Sequence, residues 1–294
     1  MPLDAVWPNG VRYGRMAAIR VTVWGEGFLD VAALGDEPGP LNYAGYVDEA
    51  RRIYPDDVHE ALAAALREQL GDDATVRTTT LDDPGLGLGD DVLDATDVLL
   101  WWSHVKHHLV PDEAVDRLWQ RVRDGMGLIV LHAGMESKIF RRLMGTSCLA
   151  GGWRQSDDWE AVWTVAPSHP IADGVPRIFT IPHEEAYAEF FDIPTPDELV
   201  FVSAFRGGEV FRSGVCFTRG NGRIFYFRPG HESHPTYHVP EVRRVLANAT
   251  RWAARTTEPA TDLRPVDAQD PDGARRMEMH EGWIRDPAVR GPRR

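Results

Sequence analysis

Four short runs of apolar, β-branched and aromatic residues limit the folds open to this chain more than any other feature: Ala18–Trp24 (AIRVTVW), Asp97–Trp102 (DVLLWW), Gly127–His132 (GLIVLH) and Gly222–Phe227 (GRIFYF). Runs of about four to eight such residues between turn residues read as strands covered on both faces. Helical patterns alternate with them. In VHEALAAALREQL the residues Val58, Leu62, Ala65, Leu66 and Leu70 make one apolar face, behind a capping-box-like Asp57-x-x-Glu60. DEAVDRLWQRVRD follows Pro111 and stops near Gly125, SKIFRRLMG follows the third run, and EVRRVLANATRWAAR follows Pro240. With Ala74–Thr80 as a less buried strand, this alternation predicts an α/β fold with a doubly wound, mainly parallel sheet.

From Trp153 onward the pattern shifts to shorter strands, EAVWTV, RIFTI, ELVFVSAF and EVFRSGVCFT. The last is joined to GRIFYF through Asn221-Gly222, a hairpin signal. An antiparallel β extension on the parallel core is therefore expected, with His183-Glu184-Glu185-Ala186-Tyr187 in a loop reaching over the site. The expected organisation is an N-terminal extension (1–17), one α/β domain (18–255) and a C-terminal tail (256–294) with little apolar patterning.

Ligands of open α/β sheets bind beyond the carboxyl ends of the strands. Here those ends carry Glu26, His104, His132 and His231, and Glu232, His234 and His238 follow within eight residues of Arg228-Pro229-Gly230. Any one of them has a bland reading as a satisfied interior or surface side chain, but their recurrence at one topological position marks a site. His59, in the first turn of its helix, is either part of that site or a solvated surface residue. HVKHH at 104–108 is a further metal-ligand candidate.

Other chemistries are disfavoured. No GxSxG elbow and no HExxH occur, GLGLG at 85–89 has the wrong spacing for a dinucleotide loop, and no nucleotide is expected. The turn after the LIVL strand holds His132 where a cysteine nucleophile would stand; Cys148 and Cys216, the only cysteines, read as small buried residues. A formal charge of -13 argues against nucleic acid. The absence of a signal-like N-terminus or an 18-residue apolar span, with unpaired cysteines, suits a cytoplasmic protein without a membrane partner. General acid–base chemistry by His and Glu remains; Trp24, Trp101, Trp102 and Trp153 suit stacking on sugar rings, with a place in the core the equal alternative for most of them.

The stretches WWSHVKH, GMGLIVLHAG, SKIFRRLMGTSC, FFDIPTPDELVF, GGEVFRSG and GRIFYFRPGHESHPTYH resemble the ThuA-like trehalose-utilisation family, over roughly residues 18–255. That family lies within the class I glutamine amidotransferase-like superfamily of flavodoxin-like folds. The resemblance implies carbohydrate catabolism, alongside sugar dehydrogenases that make 3-keto-glycosides from disaccharides such as trehalose. It places family positions on His132, on Glu185 and Tyr187, on His231 and on His59. This chain has Met135-Glu136 and Cys148-Leu149 where close relatives often carry His-Phe and Cys-Asn.

The expectation is thus an enzyme, a lyase, isomerase or hydrolase rather than a Cys-dependent amidotransferase, acting on a glycoside or 3-keto-glycoside. His132, Glu185, His231, Tyr187 and Glu26 would be its catalytic residues. The rival is a non-catalytic sugar-binding or accessory protein partnering a sugar dehydrogenase; homo-oligomerisation is left open. A divalent metal (Zn, Mn or Fe) would be held by a subset of His59, His104, His132, His231 and His238, because converging imidazoles repel one another when protonated together. Water or substrate would satisfy the same rings without a metal.

Overall fold

The structure, a computed structural model, describes residues 18–27 and 43–254. The proposed extension (1–17) and tail (256–294) lie outside the described residues. Among the described residues nine strands occur, in chain order: β1 (Ile19–Gly25), β2 (Ala74–Thr80), β3 (Val98–Trp102), β4 (Gly127–Leu131), β5 (Gly152–Thr164), β6 (Ile178–Ala188), β7 (Glu198–Phe205), β8 (Val210–Arg219) and β9 (Gly222–Phe227). The helices are α1 (Tyr43–Ile53), α2 (Val58–Leu70), α3 (Asp90–Asp94), α4 (Asp112–Asp124), α5 (Lys138–Met144) and α6 (Pro240–Ala253).

All nine strands form one sheet in the order β2-β1-β3-β4-β9-β8-β7-β5-β6. The first five are mutually parallel, and every pairing from β9 onward is antiparallel. The 2-1-3-4-9 order is the flavodoxin-like winding. Strand alternation feeds two cores. Val98, Leu100, Trp102, Ile129 and Leu131 face α2 and α6, whereas Leu99, Trp101, Leu128 and Val130 face α4 and α5. Burial on both faces is why these strands read as unbroken apolar runs.

Two expectations are corrected. Residues 183–187 are not a loop: they lie within β6, paired with a β5 that begins at Gly152 rather than near Glu160. Polar residues and two register shifts, between Arg154 and Asp158 and between Asp158 and Glu160, hide that strand from pattern reading. The ribbon's end also meets β8, through Glu189 N–H to Val210 O at 2.9 Å and the Arg154–Glu209 ion pair. The capping box at α2 is not reciprocal: Asp57 accepts from Val58 N–H, but Glu60 accepts from the Thr78 hydroxyl at 2.6 Å instead of reaching back. Of the two readings open for the tryptophans, the core one holds for Trp24, Trp101 and Trp102, Trp24 stacking on Trp101 at 3.9 Å.

Candidate active site

The site begins with the β4 terminus. His132 follows Leu131 directly and takes a left-handed backbone, φ +51°, which non-glycine residues seldom adopt. Such strain concentrates at functional sites, and here it turns the imidazole off the sheet edge into a fully buried position. His132 Nδ1 lies 3.2 Å from the Arg228 carbonyl oxygen. A carbonyl only accepts, so Nδ1 carries the proton and the Nε2 lone pair is left facing the site.

The next two parallel strands bring partners. His104 follows β3 and His231 follows β9; ring centroids are 5.4 Å apart for His104–His132, 4.9 Å for His104–His231 and 5.3 Å for His132–His231. His231 Nδ1 accepts from the backbone N–H of Ser233 at 3.1 Å, so the neutral ring carries its proton on Nε2. His104 Nδ1 lies 2.7 Å from Glu232 Oε1.

The ribbon closes the site from the other side. From β6, Tyr187 stacks on His132 at 5.4 Å, and Glu185 Oε2 stands 3.4 Å from His132 Nε2. Neither of those two atoms has a hydrogen-bond partner among the described residues. Glu184 holds the loop after β9, accepting from Gly230 N–H at 2.9 Å, His231 N–H at 3.2 Å and the Thr236 hydroxyl at 2.6 Å. Arg228, fully buried, pairs with Glu160 of β5 and donates to the Glu185 carbonyl at 2.5 Å. Gly230 is required in this loop: at φ +139°, a Cβ there would fall 1.9 Å from the Tyr237 hydroxyl.

Burial and neighbours separate the protonation states. Burial, reinforced by His231 and His104, pushes His132 well below the usual imidazole range. Burial likewise lowers His231 to about 4, against the pull of Glu232. For His104 burial is outweighed by Glu232, with help from Glu185 and Glu26, and its pKa rises to about 9. Glu232, despite its own burial, is held well below the usual carboxylate range by His104 and His231. Burial lifts Glu185 to about 7, with the charge on His104 opposing. At neutral pH the site therefore contains an imidazolium, two neutral imidazoles of opposite tautomer and a carboxyl group near its midpoint.

Of the residues singled out in the sequence, the structure brings together His104, His132, His231, Glu185 and Tyr187. Glu26 is at the same sheet edge, but both its oxygens accept from backbone, Val105 N–H at 2.8 Å and Lys106 N–H at 2.9 Å, so it positions the loop that carries His104. His59 lies under β1, where a Cβ on Gly25 would come within 2.9 Å of it, 3.5 Å from Asp57. His238 is exposed, stacked on Tyr54 and within 3.3 Å of the Ile53 carbonyl. Both stand apart from the one group of donors, among the described residues, whose atoms lie within 4.8 Å of one another: His104, His132, His231 and Glu232. Glu232 is visible beside His231 in GHESH and Glu184 beside Glu185, but the roles of Arg228, Glu184 and Glu160 carry no signal, since they depend on strand pairings far off in sequence.

Both cysteines are buried free thiols, held away from the thiolate form a nucleophile needs. Burial pushes the Cys148 thiol up to about 11 and the Cys216 thiol well above its ordinary value. Fold and site together define a flavodoxin-like α/β protein whose strand-to-turn elbow presents a histidine, in a histidine–carboxylate cluster. A family model described as trehalose utilisation, ThuA, matches residues 52–253, and the chain belongs to that family. Among solved structures it is similar to a putative ThuA-like protein from Parabacteroides merdae (TM-score 0.59, 14% identity, 82% of this chain and 91% of that one). It is also similar to one from Bacteroides uniformis (0.54, 15%, 84% and 95%) and to a cytoplasmic protein of Salmonella typhimurium (0.53, 12%, 80% and 99%). At these identities they support the fold alone. No curated protein matches by sequence. No helix among the described residues is long and apolar enough to cross a membrane.

Proposed function

We propose that the protein is a cytoplasmic enzyme of sugar catabolism acting on a 3-keto-glycoside by proton transfer next to the carbonyl. One observation carries this reading: His132 Nε2 and Glu185 Oε2 face each other at 3.4 Å in a buried site, both without a hydrogen-bond partner among the described residues. One of the pair is the base for a carbon-bound proton. The N–H groups of His104 and His231 are the donors that stabilise the oxygen as it gains charge. Reprotonation elsewhere gives isomerisation; departure of the oxygen substituent at the β-carbon gives elimination. A dehydrogenase that oxidises the glycoside would supply the substrate, and is the partner class this chemistry calls for.

A divalent cation is a second means of polarising the same oxygen, favoured by the donors gathered within 4.8 Å. Zinc, manganese or iron would suit His104, His132 and Glu232; His231 is a weaker donor because Ser233 occupies its Nδ1 lone pair. Elemental analysis of untagged protein tests it: about one ion per chain, with activity lost in EDTA, supports the metal, and far less than one with full activity in EDTA rejects it. Incubation with 3-keto-trehalose tests the enzyme itself. Turnover is expected, and tight binding without turnover would instead favour a sugar-binding accessory protein.

A further inference from the structure

The three tryptophans of the parallel half that suited sugar stacking are buried, but Trp153 is 56% exposed. Its position follows from strand register. In the β5–β6 ribbon Trp153 stands directly opposite Tyr187, flanked by the pairs Gly152–Ala188 and Arg154–Ala186 without a bulge. Side chains opposite one another in an antiparallel pair share a face, with Cβ atoms about 4.5–5.5 Å apart. The inner ring of this pair, Tyr187, is buried and stacked on His132. The outer one is in solvent. Two residues further along β5, Gln155 lies 3.4 Å from the Ser233 hydroxyl, which itself contacts His231, so this part of the strand stays against the loop carrying the site.

We infer that Trp153 is the platform on which the apolar C–H face of a neutral pyranose ring stacks as the substrate enters the histidine site. This makes it a specificity-determining residue, and the inference rests on the sugar reading above. A flat hydrophobic ring with a polar edge suits a molecule with an apolar C–H face and a hydroxylated rim, and adds affinity without touching the reacting atoms. Trp163, on the same strand, is similarly exposed at 44% but pairs with Ile178 at the distant part of the ribbon. It serves as an internal control.

The test uses full-length protein carrying Glu185→Gln, so that 3-keto-trehalose is bound without being consumed, with calorimetry as the readout. Adding Trp153→Ala should weaken binding about tenfold, Trp153→Tyr should restore most of it, and Trp163→Ala should change nothing. In the otherwise wild-type protein, Trp153→Ala should raise KM by a similar factor with kcat nearly unchanged. If Trp153→Ala lowers Tm, Trp153→Leu, which keeps bulk without an aromatic face, replaces it. Binding by the parent that is unaltered, within twofold, by loss of the indole overturns the platform while leaving the proposed function intact. No binding of 3-keto-trehalose by the parent overturns both.

Discussion

The parallel half of the sheet and the antiparallel ribbon divide the work of this site unequally. The parallel strands supply the imidazoles: β3, β4 and β9 are each followed within four residues by one, at the edge where such sheets bind ligands. The ribbon supplies what packs against them and holds their loop. Glu185 and Tyr187 of β6 touch His132, Glu184 of β6 holds the loop of His231, and Glu160 of β5 neutralises Arg228. A regular, doubly covered frame sets positions, and an irregular, bulged ribbon closes the site and adds the carboxyl group that titrates at about 7.

Arg228 joins the halves, so breaking it is the severest test of that division. Arg228→Met leaves Glu160 buried and uncompensated, and should cost about 3–5 kcal/mol in denaturant unfolding. Adding Glu160→Gln should recover part of the loss; full stability in the single variant would mean the halves are not coupled through this pair. Next in size, His132→Ala and Glu185→Gln, one from each half, should each lower kcat by about 10²–10⁴. Together they should cost much less than the product of the two, because they act as one unit; multiplicative losses would separate them.

The pH dependence sharpens the comparison further. If ionised Glu185 is the base, kcat/KM should rise as pH passes its pKa of about 7 and fall above about 9, where His104 loses its proton. Glu185→Gln should then remove the acid limb from the residual rate, and a profile flat from pH 6 to 10 would contradict the assignment. Stability should move with His104 as well. Its pKa is raised in the fold, so the stabilisation from Glu232 is complete below about 6.5 and lost as pH rises through about 9. Glu232→Gln should flatten that part of the Tm profile. The smallest effect belongs to the thiols: Cys148→Ser and Cys216→Ser should leave activity within about twofold, and activity lost with an unchanged melting curve would expose a missed nucleophile.

The two halves also differ in how far they could be read in advance. Strands β3, β4 and β9, covered on both faces, carry unbroken apolar runs, and the polar residue just after each run was legible as a site candidate. The first half of β5, GWRQSDDW, has no such pattern, because it pairs on one side only, with β6, and two register shifts interrupt its alternation. For the same reason residues 183–187 passed for a loop. The left-handed turn of His132 and the tautomers set by Arg228 O and Ser233 N–H have no trace in composition or spacing; they exist only once β9 lies beside β4. His59 and His238 show the converse. Their residue type suited a metal, but the first turn of α2 and the turn at 236–238 place them elsewhere.

Proton exchange at carbon is the most direct test of the central claim, that a base in this site removes a proton beside a sugar carbonyl. Wild-type protein and Glu185→Gln would be incubated with 3-keto-trehalose in D2O and followed by proton NMR. Wild-type should speed loss of the signal next to the carbonyl, by deuterium exchange or by conversion, and the variant should do so at least about a hundredfold more slowly. Binding of the sugar by the wild-type with no exchange and no conversion would contradict the account.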